Sequence, residues 1–185
     1  MDSSELKAQL ERYQRESYGW ALSCCSRNPS EAEGVLQAVY LKVLEGKARF
    51  DGKSTFKTWI FSVIRKTAAD ARRRNILYRL RLIKYAERDP NAVQENPVET
   101  IYRSEIQMLF RRALAALSKR QQQVLQLVFY HDLSLTEAAE VMGVSVGSAR
   151  THYDRGKKQL RQRMAESRAF DETGFGRRKN QETLP

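Results

Sequence analysis

Residues 134–160, SLTEAAEVMGVSVGSARTHYDRGKKQL, contain two short helical stretches joined at Met142-Gly143-Val144-Ser145, the second of them strongly basic. Ser134 followed by Glu137 matches a capping box, which predicts a helix starting there and ending near Gly143. Ser145 is a suitable N-cap for a second helix running toward Met164. Ala138, Ala139, Met142, Val144, Ala149 and Tyr153 supply the small and apolar contacts that let two helices cross closely. The pattern reads as a helix-turn-helix, whose second helix enters a DNA major groove. Ser148, Arg150, Thr151, His152 and Arg155 then face base edges or nearby phosphate, and Lys157, Lys158, Arg161 and Arg163 face the backbone or solvent.

Upstream of this stretch the periodicity stays helical. Only 9 glycines and 4 prolines occur in 185 residues, and strand-like alternation is weak, so the expected fold class is all-α. Pro29-Ser30 followed by Glu33 predicts a helix with Ser30 as N-cap, carrying an apolar face of Val35, Leu36, Val39, Tyr40, Val43 and Leu44 and ending near Gly46. After the polar turn KARFDGKST (47–55), FKTWIFSVIRKTAADARRR changes from an apolar to a basic helix. In it Phe56, Trp59, Ile60, Val63 and Ile64 face a core, and Lys57, Arg65, Lys66 and Arg72, Arg73 and Arg74 stay reachable. Farther on, Ile106, Leu109, Phe110, Ala113, Leu114 and Leu117 mark an amphipathic helix, and Ser118 with Gln121 caps the next, which runs to a turn at His131-Asp132.

Residues 89–100, DPNAVQENPVET, combine two prolines with an acidic bias and read as a flexible linker. The expected organisation is therefore two small helical domains with separate cores, at 1–88 and 101–165, followed by a mobile tail at 166–185.

The 33 basic and 22 acidic residues give a formal charge of +11, and the excess is concentrated. Residues 65–88 carry nine basic and two acidic groups, and residues 150–163 six and one. Two basic stripes rather than diffuse basicity thus carry the attraction to phosphate. Cys24 and Cys25 are adjacent, a poor arrangement for a structural disulfide, and read as packing residues in a reducing compartment. No apolar run is long enough for a membrane span and the start MDSSELKAQLE lacks signal-peptide order, so a cytoplasmic location without membrane insertion is expected. Neither a phosphate-binding glycine loop, a metal-ligand constellation nor a nucleophile with its base is present, so no cofactor, metal or catalytic residue is expected.

Two stretches together resemble a known family. LSKRQQQVLQLVFYHDLSLTEAAEVMGVSVGSARTHYDRGKKQL is similar to the minus-35 promoter-recognition domain of bacterial sigma factors of the extracytoplasmic-function type. NPSEAEGVLQAVYLKVLEG through FDGKSTFKTWIFSVIRKTAADARRR resembles their domain that binds core RNA polymerase and opens the minus-10 element. The resemblance covers roughly residues 5–163 and implies a non-catalytic sigma factor, with core RNA polymerase and promoter DNA as partners and an anti-sigma protein as a further candidate. It implies a polymerase surface at or near Glu33, Val35, Leu36, Gln37, Val39 and Tyr40. It also implies a base-receiving loop from Phe50 to Phe56, and a promoter-facing helix with Lys57, Trp59, Arg65, Lys66 and Asp70, Trp59 serving as a packing anchor. This chain departs from the family pattern at Glu33-Gly34 and Gln37-Ala38, where further acids are usual, and at Arg65-Lys66, where an arginine-asparagine pair is usual. Gly156 stands where alanine is common, which adds a local helix cost.

Without the resemblance, two other classes fit the residues. One is a dimeric helix-turn-helix regulator that binds a two-fold operator unaided. The other is an adaptor that uses its basic helix only as a DNA tether.

Overall fold

The computed structural model describes residues 2–86, 110 and 112–172. Among them are α1 (Ser3–Arg12), α2 (Gln14–Cys24), α3 (Pro29–Leu44), α4 (Phe56–Ala86), α5 (Lys119–Phe129), α6 (Leu135–Met142) and α7 (Val146–Glu172), and residues 112–115 are helical as well. The expected linker at 89–100 lies outside the described residues, as do most of the amphipathic positions expected between 101 and 111.

Local chemistry sets most helix ends. Asp2 caps α1 through a 2.7 Å bond from the Glu5 amide. Ser118 with Gln121 and Ser134 with Glu137 both form complete capping boxes, as their spacing predicts. The start of α3 differs from expectation. Asn28, not Ser30, is the N-cap: its side chain accepts from the Glu31 amide and Pro29 occupies the first turn. An Asn-Pro start needs no amide from residue 29, and Ser30 is thereby drawn into the helix. Thr55 caps α4, its hydroxyl accepting from the Thr58 amide at 3.2 Å. Helix α7 continues to Glu172, past the expected end near Met164 and into the first part of the expected tail.

Helices α1–α4 form a first module in which α2, α3 and α4 pack mutually. Trp20, Ala32, Val39, Ile60, Phe61 and Ile64 are fully buried there. The face expected on α3 is confirmed for Val35, Leu36, Val39 and Val43, while Tyr40 is half-buried and Leu44 is 61% exposed. Helix α4 has 31 residues, so its rod is about 46 Å long. Its first half is core and its second half projects, leaving Ile76, Leu77, Tyr78 and Leu80 exposed between arginines.

Helices α5–α7 form a second module around Val124, Leu127, Ala138, Met142 and Ala149. Gly143 adopts φ 63°, and the Gly143 and Val144 amides return to Glu140 and Ala139 in a Schellman closure of α6. Gly156 is buried at the α5–α7 crossing, where an added Cβ would stand 3.1 Å from Gln121 Cβ and 3.2 Å from a Leu125 methyl. The glycine that costs helix propensity is therefore what lets the two helices approach.

The two modules do not keep separate cores. One continuous cluster of buried residues runs through both, and α4 packs directly on α6. Each module is small, and closing one on the other buries apolar area that neither could bury alone.

Replacing Gly156 by leucine should destabilise the protein by about 1–3 kcal/mol through overpacking. Urea unfolding is the check, with Gly147→Leu as control, since nothing lies within 4 Å of a Cβ at Gly147.

Candidate nucleic-acid interface

In α7, Ala149 and Gly156 are buried and Tyr153 and Leu160 partly buried, a spacing that turns one stripe of the helix toward α5 and α6. The opposite side presents Gly147, Ser148, Arg150, Thr151, Arg155 and Lys158 to solvent. Of the nine residues expected on this helix, Ser148, Arg150, Thr151, Arg155 and Lys158 thus share one exposed face. Ser145 and Ser148 anchor its start: the Ser148 amide donates to Ser145 Oγ at 3.1 Å, and that hydroxyl donates to Ser148 Oγ at 2.9 Å. The Thr151 hydroxyl donates back to the Gly147 carbonyl at 3.0 Å, which leaves its methyl and both lone pairs of its oxygen for an incoming ligand. Arg150 and Arg155 are exposed, long and planar, the chemistry that reads guanine in two hydrogen bonds.

His152 and Lys157 are partly buried at the flanks of this face. The Lys157 ammonium lies 5.5 Å from the Tyr153 ring, which stacks on Phe129 at a centroid separation of 5.8 Å. That contact restrains the lysine and was not legible from residue spacing, because Phe129 comes from α5.

The second basic stripe lies on α4. Lys66, Arg72, Arg73 and Arg74 are exposed, with Arg73 3.8 Å from Asp70. Lys57 and Arg65 are placed differently from the expectation. The Lys57 side chain is only 18% exposed, pairs with Glu16 of α2 and lies 5.9 Å from the Phe61 ring centroid. Arg65 is partly buried with its Nε lacking a partner among the described residues, and burial, then the nearby Arg120 guanidinium, holds its pKa below the ordinary arginine value. Lys57 is held by Glu16 of its own module and Arg65 lies beside Gly143 and Arg120 of the second, so the expected stripe is split into a reachable part from Lys66 onward and a partly buried part before it.

Ahead of α4, Phe50, Phe56 and Trp59 converge with centroid separations of 5.2–5.6 Å, and Tyr13 stacks on Phe56 at 6.0 Å. Phe56 is buried while Phe50 and Trp59 are partly open. The loop between them turns at Gly52, φ 75°, and Asp51 accepts from the Lys53 amide. Trp59 thus packs against two aromatics, as an anchor would.

On α3, Glu33 and Gln37 are exposed and Tyr40 half-buried, with Leu41 58% exposed beside them in sequence. Val35, Leu36 and Val39, expected at or near a partner surface, point into the core. A 3.6-residue period places them opposite Glu33 and Gln37 rather than among them. Cys24 is buried and its thiol pKa is pushed up to about 12 by that burial, then by Cys25, which keeps it protonated and inert. The cysteine pair is packing, as expected. Among the described residues no helix is long and apolar enough to cross a membrane.

Comparison with known proteins matches both modules to one family. Residues 10–76 match the family description "Sigma-70 region 2" and residues 107–160 match "Sigma-70, region 4". The chain is similar to the ECF RNA polymerase sigma factor SigX of Bacillus subtilis, 30% identical over 141 residues, covering 75% of this chain and 73% of that one. It is also similar to the RNA polymerase sigma factor YlaC of the same organism, 28% identical over 137 residues, covering 74% and 79%. In fold it resembles the sigma factor RpoE of Bartonella quintana, solved with the anti-sigma factor NepR. The TM-score is 0.63 at 20% identity, covering 87% of this chain and 97% of that one.

Two substitutions separate the roles that side chains on α7 can take. Arg150→Ala should cost about 1–3 kcal/mol at the preferred base pair and relax preference there. Lys158→Ala should weaken binding to all sequences alike and reduce the salt slope by about one. Titrations of the protein against matched and mismatched duplexes at several salt concentrations would read both effects.

Proposed function

The chain belongs to the sigma-70 family, as a sigma factor of the extracytoplasmic-function type that directs RNA polymerase in promoter recognition, and from that premise we propose how its surfaces divide the work. The carrying observation is that two exposed basic faces sit on two different modules, Arg150, Thr151, Arg155 and Lys158 on α7 and Lys66 and Arg72 to Arg74 on α4. One chain can then hold two separated DNA elements at once.

The α7 face reads the minus-35 element in the major groove. Arg150 and Arg155 carry base discrimination, Ser148, Thr151 and His152 adjust it, and Lys157 and Lys158 hold phosphate. The α4 face holds the minus-10 element as it opens, with the exposed Lys66 and Arg72, Arg73 and Arg74 along the displaced backbone. A flipped base is received at the Phe50–Phe56 loop, where partly open rings offer a stacking surface. Core polymerase docks on the exposed side of α3 through Glu33, Gln37, Tyr40 and the open Leu41 and Leu44. Val35, Leu36 and Val39 fix that surface from behind.

The departures from the family pattern bear on strength. Gly34 and Ala38 remove acidic groups from the α3 surface, so docking there leans on Leu41 and Leu44 and depends less on salt than a fully acidic surface would. Nucleotide transfer belongs to the polymerase, and this chain supplies recognition, strand opening and release. One protein similar in fold was solved with an anti-sigma factor, and an anti-sigma partner for this chain belongs to the same proposal.

Transcription from a genomic-fragment library with purified core polymerase, with and without the protein, tests the reading through mapped start sites. Defined starts that require the protein are expected. Leu41→Glu should lower core affinity about tenfold or more, as for an apolar group in an interface centre. The triple change of Arg72, Arg73 and Arg74 to alanine should reduce strand opening, seen by permanganate reactivity, and leave duplex minus-35 binding intact. Operator binding by a dimer, with no starts on any fragment, would replace this reading by the regulator.

A further inference from the structure

Helices α3 and α4 pack together, yet along one line their side chains do not fill the space between them. A cavity of about 250 Å³ opens there, bounded also by the end of α2 and the turn after it. Its walls are small residues: Gly34 and Ala38 on α3, Ala68 and Ala71 on α4, and Cys24 and Cys25 at the end of α2. Positions 31, 34, 35 and 38 on one side and 67, 68, 71, 72 and 75 on the other recur at helical spacing, so each wall is a continuous stripe of its helix. Nothing lies within 4 Å of a Cβ added at Gly34, so crowding is not what keeps that position small. Gly34 and Ala38 are also the two α3 positions where further acids are usual in the family. Their absence both widens the cavity and removes the negative charge that would have balanced it.

The mouth is cationic. Arg72 and Arg74 line it, and the Lys119 ammonium of α5 reaches its edge by donating to Ser26 Oγ at 3.0 Å. Among the described residues none of these three cations has a carboxylate at ion-pairing distance, and Glu31 is the acid that lines the cavity. Burial, then Arg72, holds the Lys119 pKa below the ordinary lysine value, as expected where cations gather with too little counter-charge. Three positive groups against one negative leave a local excess of two.

Deeper in, the chemistry is apolar. Burial pushes the Cys24 thiol up to about 12 and raises that of Cys25, so both stay protonated and pack as small hydrophobes. The wall beside them is shaped by an uncommon turn. Ser26 and Arg27 are consecutive and neither is glycine, yet their φ values are 55° and 65°. Ser26 and Asn75 add neutral hydrogen-bonding groups to the lining.

We propose that this cavity is a binding site for a small phosphate monoester with a compact apolar body. The phosphate sits at the mouth, where the Arg72 and Arg74 guanidiniums fork onto its oxygens and Lys119 adds a third positive charge. As a near-dianion at neutral pH it matches the local excess, which a carboxylate would half satisfy. The body enters between the small side chains and takes the place of water over the cysteines. The volume lies just below the range that takes drug-sized ligands, which sets the body at about one ring. Occupancy engages Arg72 and Arg74, so a ligand here competes with an opened DNA strand for them. That consequence rests on the proposed role of α4, whereas the site does not.

The test is titration of the full-length, ¹⁵N-labelled protein with phenyl phosphate, read by amide shifts, without polymerase. Salt at about 0.15 M screens the general attraction of a chain of charge +11. Two other probes each lack one half of the ligand: inorganic phosphate has no body, and benzoate carries a single charge. Saturable shifts confined to residues 24–38, 67–75 and the start of α5 are expected for phenyl phosphate, with a dissociation constant about millimolar or tighter. Inorganic phosphate and benzoate should each bind about tenfold or more weakly. Gly34→Leu and Ala71→Leu fill the cavity from opposite walls without changing charge, and each should weaken phenyl phosphate about tenfold or more. Unchanged shifts elsewhere in their spectra would show that the variants fold. The pair Arg72→Gln and Arg74→Gln should weaken it at least as much. Absence of saturable binding, equal affinity for the three probes, or wild-type affinity in both leucine variants overturns the site. A single-stranded oligonucleotide should displace the probe; simultaneous binding of the two overturns the competition.

Discussion

The stacking of Trp20 on Phe61, locked by the indole hydrogen bond to the Phe61 carbonyl, is the contact on which the rest of the molecule depends. It ties α2 to the buried half of α4 and leaves a flat aromatic platform facing outward. His131 occupies that platform edge-on, the arrangement in which the positive rim of one ring meets the negative face of another. It adds an aromatic contact to the apolar cluster that already runs through both modules.

Helix α4 links that platform to the nucleic-acid surface. Ile60, Phe61 and Ile64 are core, Lys57 and Arg65 are partly buried, and Arg72 to Arg74 are exposed. Because one continuous rod carries all three zones, the partly buried and reachable parts of the basic stripe keep a fixed spacing. Charge is managed accordingly: Lys57 is neutralised by Glu16, and Arg65 is left to bear the burial and the nearby Arg120 charge. A cation held without a counter-ion is a standing cost, and an anion such as a DNA backbone would relieve it.

Legibility followed range. The capping boxes at Ser118 and Ser134 and the turn at Gly143 were readable because each is decided within a few residues. The start of α3 was misplaced by two residues because Asn28 and Ser30 both suit a cap, and the preference of proline for the first turn decided between them. Gly156 carried a visible local cost and a hidden benefit, since the Gln121 and Leu125 side chains that need its missing Cβ lie more than thirty residues away. Val35, Leu36 and Val39 were expected at or near a partner surface although their own period assigned them to the core; in the structure they are buried.

By itself the sequence determined an all-helical chain, a helix-turn-helix with Arg150 and Arg155 on its outer face, and two concentrated basic stripes. These follow from period, capping and charge, which act between residues close along the chain. Only the tertiary structure decided that the two modules share one core, that His131 fills a platform made by Trp20 and Phe61, and that Lys57 and Arg65 are partly buried. Those contacts join residues tens to more than a hundred positions apart, and what selects them is the burial of complementary surfaces, which no local pattern encodes.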